Sequence, residues 1–253
     1  MTAPRWILPA ATSVLAVLGA GAVIAAAAIP GTPTSAGPSQ ARSTSTPAPR
    51  PTPSIGAATP GPTARPLDAR ATPIAELADP AWVKRIATAG GIPERALAAY
   101  AGAALRLAQT DPGCGIGWNT IAAIGLVESE HGTLQGGRIG ADGVAAPEII
   151  GIPIGPDTDR GRLDRDPAQD HAVGPMQFIP SSWNLLGEDG DLDGAKDVHH
   201  IDDAALAAGI HLCEVGGDLA QPSNWINAVN AYNSSVEYNN RVAAAASGYA
   251  ALR

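Results

Sequence analysis

The sequence predicts a mainly α-helical domain that follows an apolar N-terminal segment and a proline-rich linker. Apolar residues recur at helical spacing through much of residues 74–249, and helix-start signals precede several of these runs. The alternation typical of strands is nearly absent. One long irregular loop, residues 132–173, interrupts the helices. A chain of 253 residues can hold one domain of ordinary size with appendages.

The N-terminal 29 residues predict export. Residues 7–29 form an uncharged, mostly apolar run after Arg5, and no further Lys or Arg appears before Arg42. As a helix the run can just cross a bilayer of about 30 Å. A cleaved signal usually has a shorter apolar region of about 7–15 residues. Two interpretations remain open, a membrane anchor and a signal peptide cleaved near the Ala-rich end of the run.

Residues 30–73 predict a disordered linker, and residues 74–253 the folded domain. The linker is rich in Pro, Thr, Ser, Ala and Gly and has almost no large apolar side chains. Such a segment buries too little surface to offset the entropy lost on ordering. We interpret it as a spacer, although low-complexity sequence with no required reach has the same composition.

Six helices are expected in the folded domain. The first starts at Asp79-Pro80, with Asp79 as the cap and Pro80 at the first helical position, and the second opens at Pro93. The remaining four are predicted over residues 118–127, 201–212, 225–232 and 239–249, and Asp202 and Asp203 mark the start of the second of these.

Charge and cysteine content narrow the class of protein. The formal charge is −8 and there is no Lys/Arg-rich stretch, which argues against a nucleic-acid partner. The only two cysteines are Cys114 and Cys213, and an even pair in an exported chain predicts one disulfide. Two buried free thiols are the alternative if the chain stays in the cytoplasm.

Glu128 ends the apolar run of residues 118–127 and is followed by Ser129. One interpretation is that the solvent-facing side of the helix simply begins at Glu128. The other is that the apolar turn before Glu128 partly desolvates its carboxyl. Desolvation disfavours the charged form and raises the pKa, as a general acid near neutral pH requires.

Two further stretches of sequence, residues 174–183 and 231–233, form a motif pattern together with Glu128-Ser129. Residues 174–183 read Gly-Pro-Met-Gln-Phe-Ile-Pro-Ser-Ser-Trp, and residues 231–233 read Ala-Tyr-Asn. Glu128-Ser129 followed by these two stretches resembles the lytic transglycosylases, in particular their membrane-bound B-type branch. Residues 79–100 and 202–213 resemble actinobacterial members. The resemblance implies a lysozyme-like, goose-type helical fold over residues 74–249 and peptidoglycan glycan strands as the substrate.

The resemblance also implies roles for single residues around Glu128, the expected acid/base. Ser129 is expected to bond and orient the Glu128 carboxylate or the substrate. Tyr232 is expected to donate a hydrogen bond to Glu128. The residues expected to bind substrate are Ser129, Met176, Gln177, Tyr232 and Asn233. From the residues alone, Met176 can equally be a core residue, Tyr232 a core aromatic and Asn233 a helix C-cap.

In the family, one glutamate works alone and leaves a 1,6-anhydromuramoyl end, because the C6 hydroxyl of the sugar attacks in place of water. Most retaining glycosidases instead place a second carboxylate about 5–5.5 Å from the acid. Five aspartates between the motifs leave that alternative, a muramidase-type hydrolase, open: Asp157, Asp159, Asp164, Asp166 and Asp170. A catalytically silent wall-binding module is the third interpretation.

No cofactor is expected for the chemistry, but residues 189–194 resemble the start of an EF-hand calcium loop. Oxygen-bearing side chains at alternate positions followed by Gly suit a hard cation with many ligands. The twelfth position carries His200 where the pattern has Glu. Relatives have a longer loop, and the expected ligands of a structural calcium ion are Asp189, Asp191, Asp193 and Asp203. A solvated acidic turn that caps the next helix is the alternative.

Overall fold

The computed structural model describes residues 61–252, which form a mainly helical structure. The apolar segment of residues 1–29 and most of the predicted linker lie outside the described residues. Within the part of the chain that is described, no helix is both long and apolar enough to cross a membrane.

Seven α-helices form most of the regular secondary structure in residues 61–252. In chain order they are α1 (Pro80–Gly90), α2 (Glu94–Thr110), α3 (Trp118–Ser129), α4 (Pro180–Leu186), α5 (Ile201–Gly216), α6 (Pro222–Tyr232) and α7 (Val236–Ala250). Single turns of 3₁₀ helix span Ile74–Glu76 and Leu134–Gly136. Six α-helices correspond to the predicted ones, and the short α4 begins within the second motif.

Local signals fix where several helices begin. The Asp79 carboxylate accepts a hydrogen bond from the Trp82 N–H at 2.9 Å, which confirms the predicted cap of α1. Helix α7 begins three residues earlier than predicted, because Ser235 caps it by accepting from the Tyr238 N–H at 3.4 Å. This earlier start adds one turn to α7, and that turn carries Tyr238.

Helices α3 and α5 occupy the centre of the structure. Helix α3 packs against α7 and α2, and α5 packs against α2 and α6. The small residues Ala204, Ala205, Ala207 and Ala208 of α5 are all fully buried, and small side chains let neighbouring helices approach closely. Because α3 is held from several sides, its last turn has a defined position.

Cys114 and Cys213 form a disulfide, which confirms the predicted bond. The bond joins the connection between α2 and α3 to the C-terminal part of α5, and the two Cα atoms lie 5.2 Å apart. Nearby, the Leu219 N–H donates to the Cys114 carbonyl at 2.7 Å. The disulfide therefore fastens the chain just before α3 to the central helix α5.

The predicted irregular loop of residues 132–173 is partly wrong, because it contains four short strands. Strands β1 (Arg138–Ile139) and β2 (Ala145–Ala146) pair antiparallel, as do β3 (Ile150–Pro156) and β4 (Gln169–Val173). The sequence of β3, Ile-Gly-Ile-Pro-Ile-Gly-Pro, hides the strand because Gly and Pro are both depleted in strands.

The folded part also begins earlier than residue 74. The Asp79 N–H donates to the Thr63 carbonyl at 3.0 Å, and Arg106 Nη2 donates to the Thr72 carbonyl at 2.8 Å. Gly102 of α2 allows this segment to pack closely, since a Cβ there would lie 1.8 Å from the Ile74 carbonyl oxygen. The last residues of the predicted linker are thus part of the packed structure.

Candidate active site

Glu128 lies in the last turn of α3 and is half-buried. The preceding residues from Ile121 to Gly125 are all buried, so the helix delivers the carboxyl from the core to its edge. Directly after the helix, Glu130 and His131 have positive φ angles of 52° and 61°, and the chain turns away. The side chain of Glu128 therefore stands at the boundary between the apolar core and solvent.

Tyr238 on α7 holds the Glu128 carboxyl. Its hydroxyl donates to Glu128 Oε1 at 2.6 Å, and only 7% of the Tyr238 side chain is exposed. Burial raises the pKa of Tyr238 well above its usual range, and the nearby Glu128 charge adds to this rise. Tyr238 is therefore protonated at every physiological pH and acts as a fixed donor.

The surroundings of Glu128 shift its pKa strongly. Burial raises it from 4.5 to about 7, whereas the Tyr238 hydrogen bond and the Arg241 charge lower it by less than burial raises it. No aspartate in the described part of the chain contributes to this shift. Near neutral pH both protonation states are populated, so one group can first donate and later accept a proton.

The predicted hydrogen bond from Tyr232 to Glu128 is wrong. The Tyr232 hydroxyl donates instead to the backbone carbonyl of Met176 at 2.8 Å. Tyr232 still lies close enough to Glu128 for that charge to raise its pKa, after burial as the main cause. Tyr238, six residues further on, takes the role given to Tyr232. A Ser-x-x-Tyr helix start at Ser235 is the signal that could have identified it.

The predicted contact of Ser129 with the Glu128 carboxylate or the substrate is also wrong. Ser129 is 1% exposed, and its hydroxyl donates to the Pro175 carbonyl at 2.7 Å. The same oxygen accepts from the Gly132 N–H at 2.8 Å. Ser129 thus joins the end of α3 to the chain at Pro175, and its hydroxyl has no capacity left for the carboxylate.

The segment Gly174-Pro175-Met176-Gln177 is fastened beside Glu128 from two sides. Ser129 binds the carbonyl of Pro175, and Tyr232 binds the carbonyl of Met176. Gly174 has a φ angle of 77°, and a Cβ there would lie 2.0 Å from the Val198 carbonyl oxygen. The glycine of this motif is therefore required both by its backbone conformation and by a close backbone approach.

The structure separates the two predicted groove residues of this segment. Met176 is fully buried, so the prediction that its side chain lines a sugar-binding groove is wrong, and it belongs to the core. Gln177 is half-buried, with a φ angle of 50°. Its Nε2 donates to the Gly174 carbonyl at 2.9 Å, and its Oε1 lies against Gly151 of β3. Gln177 thus lies at the edge of the β3–β4 hairpin, and its contact with the substrate stays a prediction.

Asn233 is the C-cap of α6, one of the two roles that its place in the sequence allows. Its side-chain oxygen accepts from the Ser235 N–H at 2.9 Å, and its carbonyl accepts from Asn239 Nδ2 at 2.9 Å. These bonds shape the turn between α6 and α7, which ends at Ser235, the N-cap of α7. Asn233 supports the site through the backbone.

The five aspartates of the hydrolase alternative all belong to the β3–β4 hairpin and accept hydrogen bonds within it. Each accepts at least one backbone N–H from the hairpin; for example, Asp157 accepts from Asp159 and Gly161 at 3.1 and 3.0 Å. The same holds for Asp159, Asp164, Asp166 and Asp170. These carboxylates shape the hairpin.

Three of the four predicted calcium ligands come together. Oxygens of Asp189, Asp191 and Asp203 lie within 4.8 Å of one another. Asp203 is 2% exposed, and burial raises its pKa to about 6, with the Asp191 charge adding to the rise. Hard carboxylate oxygens in this arrangement are suited to calcium. Both Asp203 oxygens also accept backbone N–H groups, from Gly190 at 2.7 Å and Asp197 at 2.8 Å.

The prediction that Asp193 is the fourth ligand is wrong, because Asp193 does not belong to this cluster. Its side chain is exposed and caps the following turn by accepting from the Ala195 N–H at 2.7 Å. His200 also lies next to the cluster, and its Nε2 is 3.3 Å from Asp191 Oδ2. The same nitrogen lies 2.7 Å from the Asp142 carbonyl oxygen. The residues of the described part that fit a cation here are therefore Asp189, Asp191 and Asp203.

Comparisons of the chain with protein-family models, with curated proteins and with solved structures found no match.

Proposed function

We propose that this protein is a lytic transglycosylase that cleaves the β-1,4 bond between N-acetylmuramic acid and N-acetylglucosamine in peptidoglycan, with Glu128 as its single general acid and base. The observation that carries the proposal is the environment of one carboxyl group. Burial raises the pKa of Glu128 to about 7, and Tyr238 holds the group in place.

The proposed reaction uses Glu128 twice. The protonated carboxyl gives its proton to the glycosidic oxygen as the bond to the anomeric carbon breaks, and the oxygen of the substrate's own N-acetyl group bonds that carbon. The Glu128 carboxylate then takes the proton of the C6 hydroxyl, whose oxygen displaces the N-acetyl oxygen. The product carries a 1,6-anhydro ring, no water is consumed, and Glu128 regains its proton. Tyr238 stabilises the carboxylate formed between the steps.

The hairpin aspartates favour this reaction over a two-carboxylate hydrolase. A retaining hydrolase needs a second carboxylate about 5–5.5 Å from the acid and free to attack. The five aspartates of the β3–β4 hairpin bind backbone donors of the hairpin, and none contributes to the pKa of Glu128. A single carboxyl assisted by the substrate is the simpler chemistry for this site.

We also propose a lysozyme-like fold and an extracytoplasmic location for this protein. A lysozyme-like arrangement is supported by a central helix that ends in the catalytic carboxyl and by the fastened segment of residues 174–177. An extracytoplasmic location in the cell envelope, either anchored or secreted, is supported by the disulfide, since disulfides persist in oxidising compartments. A calcium ion at Asp189, Asp191 and Asp203 has a structural role in this proposal and takes no part in proton transfer.

The test compares the lysis of purified peptidoglycan by two single variants, Glu128→Gln and the control Glu130→Gln. The amide keeps the shape of Glu128 but cannot exchange the proton, so lysis should fall by about 10²–10⁴-fold. Glu130 is exposed, two residues away, and makes no side-chain hydrogen bond in residues 61–252, so its variant should keep full activity. Comparable lysis by Glu128→Gln, with its fold confirmed by circular dichroism, would contradict the proposal.

A further inference from the structure

Arg241 lies on α7 next to the residue that holds Glu128. It follows Tyr238 by three positions, which places both side chains on neighbouring parts of one helix face. Tyr238 points into the site and donates to Glu128, whereas Arg241 is exposed at its rim. Its charge is near enough to lower the pKa of both Glu128 and Tyr238. A cation thus stands beside the proposed acid.

The guanidinium group of Arg241 is free to bind a ligand. It makes no hydrogen bond and no ion pair with any other residue from 61 to 252. Glu237 precedes it by four positions on the same helix, a spacing that allows a surface ion pair, yet the two do not pair. Arg95, in contrast, binds both oxygens of Asp202 at 2.6 and 2.9 Å.

A nearby cation works against a general acid. It stabilises the carboxylate and so lowers the fraction of Glu128 that carries the proton. This disadvantage disappears when an anion on the substrate neutralises the guanidinium as it binds. Arg241 also offers a planar fork of donors that matches the two oxygens of a carboxylate.

We propose that Arg241 binds a carboxylate carried by the muramic acid residue next to the bond that Glu128 cleaves. The inference rests on the proposed function and adds a basis for substrate specificity. The carboxylate has two possible sources, the lactyl arm itself when it is free and the peptide attached to that arm. Both offer the same ligand chemistry to the guanidinium group.

The test compares binding of three soluble tetrasaccharides by the full chain carrying Glu128→Gln, so that the ligand is not consumed. One alternates N-acetylglucosamine with muramic acid bearing free lactyl carboxylates, one carries peptides on those arms, and one is the neutral N-acetylglucosamine tetramer. Adding Arg241→Gln should weaken binding of a carboxylate-bearing ligand by about 5-fold and leave the neutral tetramer unchanged. The ligand that loses affinity identifies the source.

Glu237→Gln serves as the matched control, because it changes a charge on the same helix turn and should not weaken binding of any of the three. Equal affinities with and without Arg241, an equal loss for the neutral tetramer, or no saccharide binding by the parent protein would each overturn the inference. Lysis of peptidoglycan by the wild-type chain is measured in parallel. If lysis occurs while Arg241→Gln binds normally, the inference fails and the proposed function stands. If lysis is absent while the selective loss occurs, the chemistry fails and carboxylate recognition stands.

Discussion

Glu128 and Asp157 are both carboxylates near solvent, yet their surroundings push their pKa values in opposite directions. Glu128 ends a helix from the core, and burial raises its pKa to about 7. Asp157 lies in the β3–β4 hairpin, where backbone N–H groups, Gly161 first, lower its pKa. A carboxylate that accepts several backbone donors stays charged and builds structure. A carboxylate with one tyrosine donor against an apolar helix can keep its proton and do chemistry.

The largest expected effect concerns stability at alkaline pH. The pKa of Glu128 is higher in the folded state than in the unfolded state, so its stabilising contribution is complete below about pH 4.5 and is lost as the pH rises through about 7. Glu128→Gln removes this loss. The variant should therefore exceed the wild type in free energy of unfolding by about 3 kcal/mol at pH 8.5.

At pH 4 the Glu128→Gln variant and the wild type should unfold at nearly the same denaturant concentration. Urea unfolding at the two pH values measures the difference. A variant that is no more stable than the wild type at pH 8.5 would show that Glu128 is solvated like an ordinary surface carboxylate.

Asp203 is a third case beside Glu128 and Asp157. Burial raises its pKa as it does that of Glu128, but the carboxylates of Asp189 and Asp191 lie close to it. Calcium that binds only the folded protein should stabilise it by about 2.7 kcal/mol at 100 times its Kd. Calcium should thus raise the Tm, magnesium should raise it less, and Asp189→Asn with Asp191→Asn should remove the effect.

Asp193→Asn is the matched control for calcium, and it should keep most of the rise in Tm because Asp193 lies outside the cluster. If the Tm ignores both calcium and chelator, residues 189–203 form an acidic turn without a metal. Loss of the effect in Asp193→Asn alone would restore the ligand set predicted from the sequence.

Tyr238→Phe tests the donor that distinguishes Glu128 from Asp157. A hydrogen bond to a charged group contributes about 1.5–3 kcal/mol, so lysis should fall by at least about tenfold. The Tyr238 bond lowers the pKa of Glu128, and its removal should move the alkaline limb of the pH profile upward. Tyr232→Phe is the control; it should leave that limb in place, since Tyr232 binds the Met176 carbonyl. A shift in the control alone would reverse the two assignments.

Asp157→Asn has the smallest expected effect. Because the folded-state pKa of Asp157 is lowered, its carboxylate stabilises the protein above the unfolded-state pKa, and that contribution is lost as the pH falls. The variant should be slightly less stable than the wild type at pH 7, equal to it at pH 2, and fully active. Loss of lysis with an intact fold would identify Asp157 as a second catalytic carboxylate.

The helices were readable from the sequence because their signals are local. Asp79 caps α1 within three residues, and the apolar run before Glu128 places that carboxyl at the end of α3. The hydrogen-bond partners of the site residues could not be predicted from such local signals. The Ser129 hydroxyl binds a carbonyl 46 residues away, and the Glu128 carboxyl accepts from a tyrosine 110 residues away. Such pairs depend on how α3, α6 and α7 pack.

The errors at Tyr232 and Met176 have a common physical cause. A motif preserves the order of residues along the chain, but it does not tell which side of a turn faces the site. Tyr232 is the last residue of α6, and its hydroxyl donates to the Met176 carbonyl. After the turn at Asn233, Tyr238 is the tyrosine that donates to Glu128. Met176 contributes its carbonyl to this arrangement and its side chain to the core.

The most direct test of the central claim is the mass of the products released from purified peptidoglycan by the wild-type chain. If Glu128 acts alone as acid and base, the muramic acid ends carry a 1,6-anhydro ring, and each cleavage adds no mass to the two fragments together. Glu128→Gln should release neither kind of product. If each cleavage instead adds one water and leaves reducing ends, water is the nucleophile, and the single-carboxyl transglycosylase account is contradicted.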